Sequence, residues 1–308
     1  MKTLTQFNCL LELIKVFSTE QACVDALEQL RWPNGVVSPY DSSSKVYNYG
    51  NGRYRCANTK KDFNVRTGTL FHASRVPLQK WFVAIWLLTS DKKGVSSYCL
   101  AEHLHVTQST AWFMLHRIRN CYGKNVGKLS GEVELDETFV GGKNKNRHAN
   151  KKIRNSQGRS FKDKTPVFGM LERGGNVRAI VVPNTSAYTL TIQILQNISK
   201  FTKLYTDEWT GYRIIRQQST YYSHEQVDHG KRQYVNGNAT TNTIEGFWSI
   251  LKRGIIGVYH HASRKHLQLY VDEYVFRYNT RTYSNTDRFY ALLQNAGKRL
   301  AHNTLING

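Results

Sequence analysis

EVELDETFV, Glu132 to Val140, marks the point after Gly131 where a largely helical chain turns β-rich. Two more short β-rich runs follow, KTPVFGMLE (164–172) and NVRAIVV (176–182), and Arg173-Gly174-Gly175-Asn176 reads as the hairpin turn joining them. The pattern then predicts a helix from about Ala187 to Lys200, a short strand KLYT (203–206) running up to Asp207, a helix over about 209–218 and a strand over 220–227. A polar loop, 229–239, leads to the helix within NTIEGFWSILKRGIIG (242–257). Three antiparallel strands followed by helix, strand, helix, strand, helix specify an α/β unit, a mixed sheet flanked by helices.

In that last helix Ile244, Phe247, Trp248 and Leu251 recur at gaps of three and four, one buried stripe. Asn242, Glu245, Trp248 and Lys252 share a neighbouring sector, so amide, acid, indole and cation lie together. Asp136 is read at or near the end of the first strand, Asp207 follows the fourth, and Glu245 sits on the helix, elements that can converge. Carboxylates brought together without partners repel, and a hard cation such as Mg²⁺ relieves that repulsion. Two such ions can hold the attacking and leaving oxygens of a phosphodiester in line, with Lys252 and Arg253 on the DNA phosphate. Each acid alone also fits a plainer role: Asp136 a turn residue, Asp207 a helix N-cap, Glu245 a surface ion-pair partner.

Composition narrows the partner. The 308 residues carry a formal net charge of +21 and a pI near 9.8, which favours a polyanion, nucleic acid first, because each neutralised phosphate releases counterions. Residues 143–164 carry nine Lys or Arg against one acid, Asp163, and read as a basic loop in which Lys151 and Lys152 contact phosphate. No long apolar run argues for a membrane. The opening MKTLTQFNCLLELIKVF is broken by Glu12 and Lys15 and reads as helix, not leader. Five scattered cysteines, never spaced CxxC, argue against a disulfide framework and an intact zinc site, hence a cytoplasmic, nucleoid-associated protein.

The amino-terminal part reads as helices over 4–16 and 18–30, a turn at Trp32-Pro33-Asn34-Gly35, a small β-type module with runs at 45–49 and 53–55, and an apolar helix over 77–90 begun by Pro77. Residues 95–120 form a helix-turn-helix candidate, turning at 105–107. Its second helix would present Gln108, Ser109 and Thr110 to base edges and Arg117 and Arg119 to phosphates. Trp209 and Tyr212 either stack on an unpaired base or pack a helix start. His260, His261 and His266 read as phosphate or local hydrogen-bond partners rather than metal ligands.

ELDETFVGG, TDEWTGY and NTIEGFWSILKRGIIGVYHHASRKHLQLYVDEYVFRYNTR resemble the catalytic domain of prokaryotic insertion-sequence transposases of the DDE superfamily. Nearly the whole chain is similar to the group that carries an N-terminal zinc ribbon and resembles eukaryotic Merlin transposases. The resemblance implies a ribonuclease-H-like fold, and cleavage and strand transfer at the ends of an insertion sequence with two Mg²⁺ ions, Mn²⁺ substituting. It assigns catalysis and metal binding to Asp136, Asp207 and Glu245. Because some members use asparagine third, Asn242 is the alternative to Glu245. The implied partners are terminal inverted repeats and target DNA, bound by a homodimer or larger assembly. Where the group's ribbon has two CxxC pairs, this chain has Ser38, Asp41, Cys56 and Thr59, so no zinc is expected. The expected organisation is helices over 1–35, a degenerate ribbon over 36–72, a helix-turn-helix region over 77–125, a catalytic domain over 131–283 and a C-terminal helix and tail over 284–308. The lost cysteines keep a second reading open, a catalytically silent, transposon-derived DNA-binding protein.

Overall fold

A computed structural model describes residues 5–122, 127–142, 148–152, 160, 162–207, 209–217, 221–226 and 240–307. Much of the basic stretch 143–164, including the Lys151 side chain, and the expected loop 229–239 lie outside the described residues. The chain divides into two compact units, 1–123 with 282–308, and 124–281.

The first unit begins with α1 (Leu10–Val16) and α2 (Glu20–Arg31). Helix α1 starts six residues later than expected, where the Glu12 carboxylate accepts the Asn8 backbone N–H at 2.6 Å and fixes the first turn. An antiparallel sheet follows, β1 (Val46–Asn48), β2 (Tyr54–Cys56) and β3 (Asp62–Phe63), the last too short to read from the sequence. The apolar α3 (Leu78–Ser90) has Pro77 at its N-cap rather than inside its first turn. Helices α4 (Ser97–Leu104) and α5 (Gln108–Arg119) turn through His105 at φ +48°, and Leu100, Ala101 and Leu104 are buried with Ala111 and Leu115.

The second unit is built on β4 (Glu132–Val140), β5 (Thr165–Glu172) and β6 (Val177–Val181), then α6 (Ala187–Asn197) and β7 (Thr202–Thr206). In place of the helix expected over 209–218 stand a 3₁₀ turn, Thr210–Tyr212, and the one-turn α7 (Arg213–Arg216). Strand β8 (Tyr222–Gln226), α8 (Asn242–Gly254), a π-helical turn (Ile255–Tyr259) and α9 (Leu267–Asn279) complete it. The sheet runs β6-β5-β4-β7-β8, antiparallel among β6, β5 and β4 and parallel from β4 through β8. That order and sense is the ribonuclease-H-like arrangement.

Strand periodicity sends alternate side chains to opposite faces, and each face has its own core. Val133, Leu135, Phe168 and Met170 pack with Leu190, Ile194, Tyr212 and Ile215. On the other face, Val167 and Leu171 pack with Ile244, Phe247, Trp248 and Leu251 of α8 and Val271 and Tyr274 of α9. Central β5 is therefore buried on both sides. The edge of β6 is closed by α9: Gln268 bonds Val181 N–H (2.7 Å) and Ala179 C=O (3.1 Å), and Asn279 bonds both backbone groups of Val177.

Helices α10 (Asn285–Gln294) and α11 (His302–Asn307), in the stretch expected as a C-terminal helix and tail, belong to the first unit. Phe289 of α10 lies edge-on to Phe82 of α3, ring centres 5.5 Å apart, in a cluster with Phe7 and Phe17. Among the described residues, no helix is long and apolar enough to cross a membrane.

Candidate active site

Asp136 is the fifth of nine residues in β4, so it stands mid-strand rather than at the strand end. What ends near it is the parallel pairing with β7, whose last register partners are Glu134 and Tyr205. Two residues further along both chains, that register brings Asp136 level with Asp207. On its other side Asp136 pairs with Gly169 of β5.

Glu134, two residues before Asp136 and on the same face, is fully buried and ties α8 down. Its Oε2 accepts the backbone N–H groups of Thr243 and Ile244, each at 3.0 Å, and its Oε1 accepts the Thr243 hydroxyl and Arg173 Nε, also at 3.0 Å. Two orphan donors at a helix start thus meet a carboxylate, where the helix dipole favours negative charge. Arg173 also bonds Glu132 at 3.0 Å and the Thr240 carbonyl at 2.9 Å, and its guanidinium lies 3.8 Å over the Tyr205 ring. This network fixes the first turn of α8, and with it Glu245.

Indole and glycine set the other contact. Trp248 Nε1 donates to Asp136 Oδ2 at 2.9 Å, and the Glu137 backbone N–H donates to Oδ1 at 2.8 Å. A Cβ on Gly169 would come within 2.4 Å of the Trp248 ring, so only glycine lets the indole lie flat beside Asp136. Burial above all, then the charges of Asp207 and Glu245, push the Asp136 carboxyl up to about 7 against those two hydrogen bonds. Asp207 accepts the Trp209 backbone N–H at 3.0 Å, and Glu245 accepts the Thr241 hydroxyl at 3.3 Å. Lys252 sits within electrostatic reach: burial lowers its ammonium value, Asp136 raises it and Lys164 lowers it further. Among the described residues, no three His, Cys, Asp or Glu side chains close into a ready-made metal cage. The carboxylates approach one another but stay open.

The remaining expected residues divide. Asn242 is exposed at the start of α8, its backbone N–H on the Thr240 hydroxyl at 3.1 Å. Arg253 is exposed and donates to Ser249 O at 3.1 Å, and Lys152 is exposed. Gln108 is turned back onto Ser97 at 2.8 Å, while Ser109 is exposed beside Thr110 and the capping Thr107. Arg117 and Arg119 correct the sequence reading: both are buried, and Arg117 donates to the His72 and Leu300 carbonyls at 2.8 and 3.2 Å. A guanidinium spent on core carbonyls, as that of Arg117 is, does not face phosphate, and Arg119 is buried away from solvent. Tyr212 likewise is buried, its hydroxyl on Glu137, and half-buried Trp209 packs on the core and reaches Thr185 O at 3.4 Å, so neither is an open stacking platform. His260 turns its Nδ1 to Ile256 O at 3.0 Å. Glu134, Arg173 and Gly169 were missed; the phase shared by Glu134, Asp136 and the first residue of β4 was the available signal.

The second unit is thus a ribonuclease-H-like α/β protein in which Asp207, Glu245 and Lys252 each interact electrostatically with Asp136. Residues 128–279 match the ISXO2-like transposase domain. An uncharacterized protein in transposable element ISH50 of Halobacterium salinarum is 31% identical over 252 residues, 78% of this chain and 84% of the relative. The chain belongs to the ISXO2-like transposase family of insertion-sequence proteins, and its function lies in transposition. Solved structures resembling it include a pre-cleavage Mos1 transpososome (TM-score 0.30, 12% identity, 94% of this chain and 97% of that one). The Mos1 strand transfer complex is similar at TM-score 0.28 and 14% identity, over 71% of this chain and 79% of that one. These scores carry no functional weight.

Proposed function

We propose that the protein is a transposase that cuts DNA at the ends of an insertion sequence and joins the freed ends to target DNA, with Asp136, Asp207 and Glu245 as its catalytic acids. Water attacks the phosphodiester at the element's end, releasing a 3′ hydroxyl. That hydroxyl then attacks a target phosphodiester and displaces its 3′ oxygen. The observation that supports the reading most is that Asp207, after the end of β7, and Glu245, on α8, both act electrostatically on Asp136, two residues past the last β4–β7 pair.

The donor set suits a hard divalent cation, because it consists of carboxylate oxygens, and burial together with the charges of Asp207 and Glu245 raises the Asp136 carboxyl to about 7. Asp136, Asp207 and Glu245 would hold Mg²⁺, or Mn²⁺ in its place; when bound, it supplies an activated water and neutralises charge on the leaving oxygen. Trp248 orients Asp136, and Glu134 with Arg173 holds the first turn of α8 so that Glu245 faces it. Lys252 and Arg253 bind the DNA phosphate nearby, and Lys152 and the Ser109–Thr110 helix start add contacts. Two ends must be brought together, so the active form is a dimer or larger.

The test is strand cleavage of DNA carrying the gene's flanking repeats, with Mg²⁺ or Mn²⁺, for wild type, Asp207→Asn and Glu245→Gln. Cutting by wild type that both variants lose supports the reading. Cutting retained by Glu245→Gln transfers the third role to Asn242. Tight binding by wild type without any cutting replaces the enzyme with a silent DNA-binding derivative.

A further inference from the structure

A second basic feature of the second unit lies at the start of β5, away from the acids. Lys164, immediately before β5, and Arg264, between the π-helical turn and α9, flank a cavity of about 270 Å³ lined also by Pro166, Val181, Val182 and Pro183. Arg264 Nη2 donates to the Lys164 backbone carbonyl at 3.4 Å, which ties the two segments together. Gly141 presses against the same segment, where a Cβ would meet Asp163 O at 2.6 Å and Lys164 Cα at 3.0 Å. The cleft is therefore lined by two cations, Thr165 and four apolar residues, and its Lys164 side is braced by Gly141 and Arg264.

Its position gives it a ligand. Lys252 senses both Asp136 and Lys164, so one line of cations leads from the acids to the cleft. Along β5, Lys164 precedes Gly169, the partner of Asp136, by five residues, or about 17 Å at 3.4 Å per residue. At about 3.4 Å of rise per nucleotide on one strand, that spans roughly five nucleotides. Two cations lining one cleft suit an anion that is already tethered, because together they hold its charge in place.

We propose that the Lys164–Arg264 cleft seats a backbone phosphate of the DNA strand running away from the cut, within roughly five nucleotides of it. The proposal rests on reading the acid site as a DNA-cutting centre. It gives the strand a second anchor and so a direction across the sheet.

The experiment measures affinity for a duplex of the element's own end at several salt concentrations, with Ca²⁺ in place of Mg²⁺ to hold chemistry back. Each lost phosphate contact lowers the slope of log K against log salt by about 0.9, so Lys164→Gln with Arg264→Gln, which together empty the seat of one phosphate, should lower it by about one. Arg264→Lys keeps the charge and should keep the slope, which separates charge loss from misfolding; Lys200→Gln, before β7 at the far end of the strands, should change nothing. A scan of single neutral methylphosphonate linkages then finds one position that weakens wild type but not Arg264→Gln. If Lys252→Gln lowers the slope while the Lys164 and Arg264 variants do not, the cleft assignment is overturned and the cutting site stands. If Lys252→Gln is also without effect, the reading of the acid site falls with it.

Discussion

The β1–β3 module of the first unit, expected from the sequence as a degenerate ribbon, and the acid site of the second both draw polar side chains together beside a sheet, and they neutralise them in opposite ways. In the ribbon, burial would raise the Cys56 thiol, yet hydrogen bonds from the hydroxyls of Ser38, Ser44 and Thr59 bring it down to about 6. The two knuckles are also clasped directly: Asn58 Nδ2 donates to Asp41 Oδ2 at 2.7 Å, and the Asn58 backbone N–H donates to Ser44 Oγ at 3.1 Å. Ser38 Oγ accepts from the backbone N–H groups of Tyr40 and Asp41, the places where a thiolate would do so in a metal knuckle. Donors of the chain itself do the work of a cation there. At Asp136 burial and the acidic neighbours Asp207 and Glu245 outweigh two hydrogen bonds and raise the carboxyl to about 7, with Lys252 the cation of the chain that interacts with it, so a further positive charge would favour its ionised form. Where the chain supplies its own donors, as to Asp41 and Cys56, a negative group is satisfied without a cation; where its close neighbours are acids, it is not.

The contrast breaks most readily at Glu134. Glu134→Gln removes a buried charge that holds Arg173 and two α8 N–H groups, and should destabilise the second unit by about 3–5 kcal/mol, read as a lower unfolding midpoint in urea. Cleavage should fall with it, since Glu245 loses its anchor. A loss within 1 kcal/mol would mean that α8 is held by its apolar stripe alone, and the buried network would be decoration.

That network also marks where sequence reading ended. The sheet and α8 were legible because short β-rich runs are punctuated by glycines and because Ile244, Phe247, Trp248 and Leu251 keep one helical stripe. The acids stood out through their residue type and their places on those elements. Glu134 did not, because its partners are 39 residues away at Arg173 and 109 away at Thr243, and no local pattern reports such a pairing. Arg117 was misread for the same reason: a last-turn arginine looks like a phosphate contact until its acceptors, 45 and 183 residues distant, are known. Gly169 is legible only once Trp248 is seen lying against it.

The acid site should next reveal itself through pH. Folded Asp136, with its value near 7, keeps a proton that the unfolded chain releases near 3.8, so the metal-free protein should lose stability as pH rises through that window, by about 4 kcal/mol at most. Subtracting the profile of Asp136→Asn isolates the slope, and Mg²⁺ should cancel it by binding the ionised carboxylate. An identical profile in the variant would show that the neighbouring acids do not burden Asp136. Gly169→Ala should act on the same carboxylate less severely: its Cβ displaces the indole, costing about 1–3 kcal/mol, and the loss of the Trp248 hydrogen bond should lower cleavage more than it lowers DNA affinity. Equal losses in both would place Trp248 in DNA binding rather than in holding Asp136.

The smallest effect is expected where the ribbon meets zinc. If hydroxyl donors and the Asp41–Asn58 clasp have replaced the cation, adding Zn²⁺ to the wild-type protein should leave its thermal midpoint unmoved, because Asp41 and Cys56 alone cannot close a four-ligand site. The triple variant Ser38→Cys, Asp41→Cys, Thr59→Cys returns four thiolates to positions whose backbone is already arranged as two knuckles. Zinc should then raise its midpoint and a chelator should reverse the gain, since metal binding free energy becomes folding free energy. Failure of the triple variant to bind would mean that the knuckles have drifted out of register with their strands. Stabilisation of the wild type by zinc would instead show that the clasp is a second state of a working metal site, and the difference between the two regions would be one of occupancy rather than of chemistry.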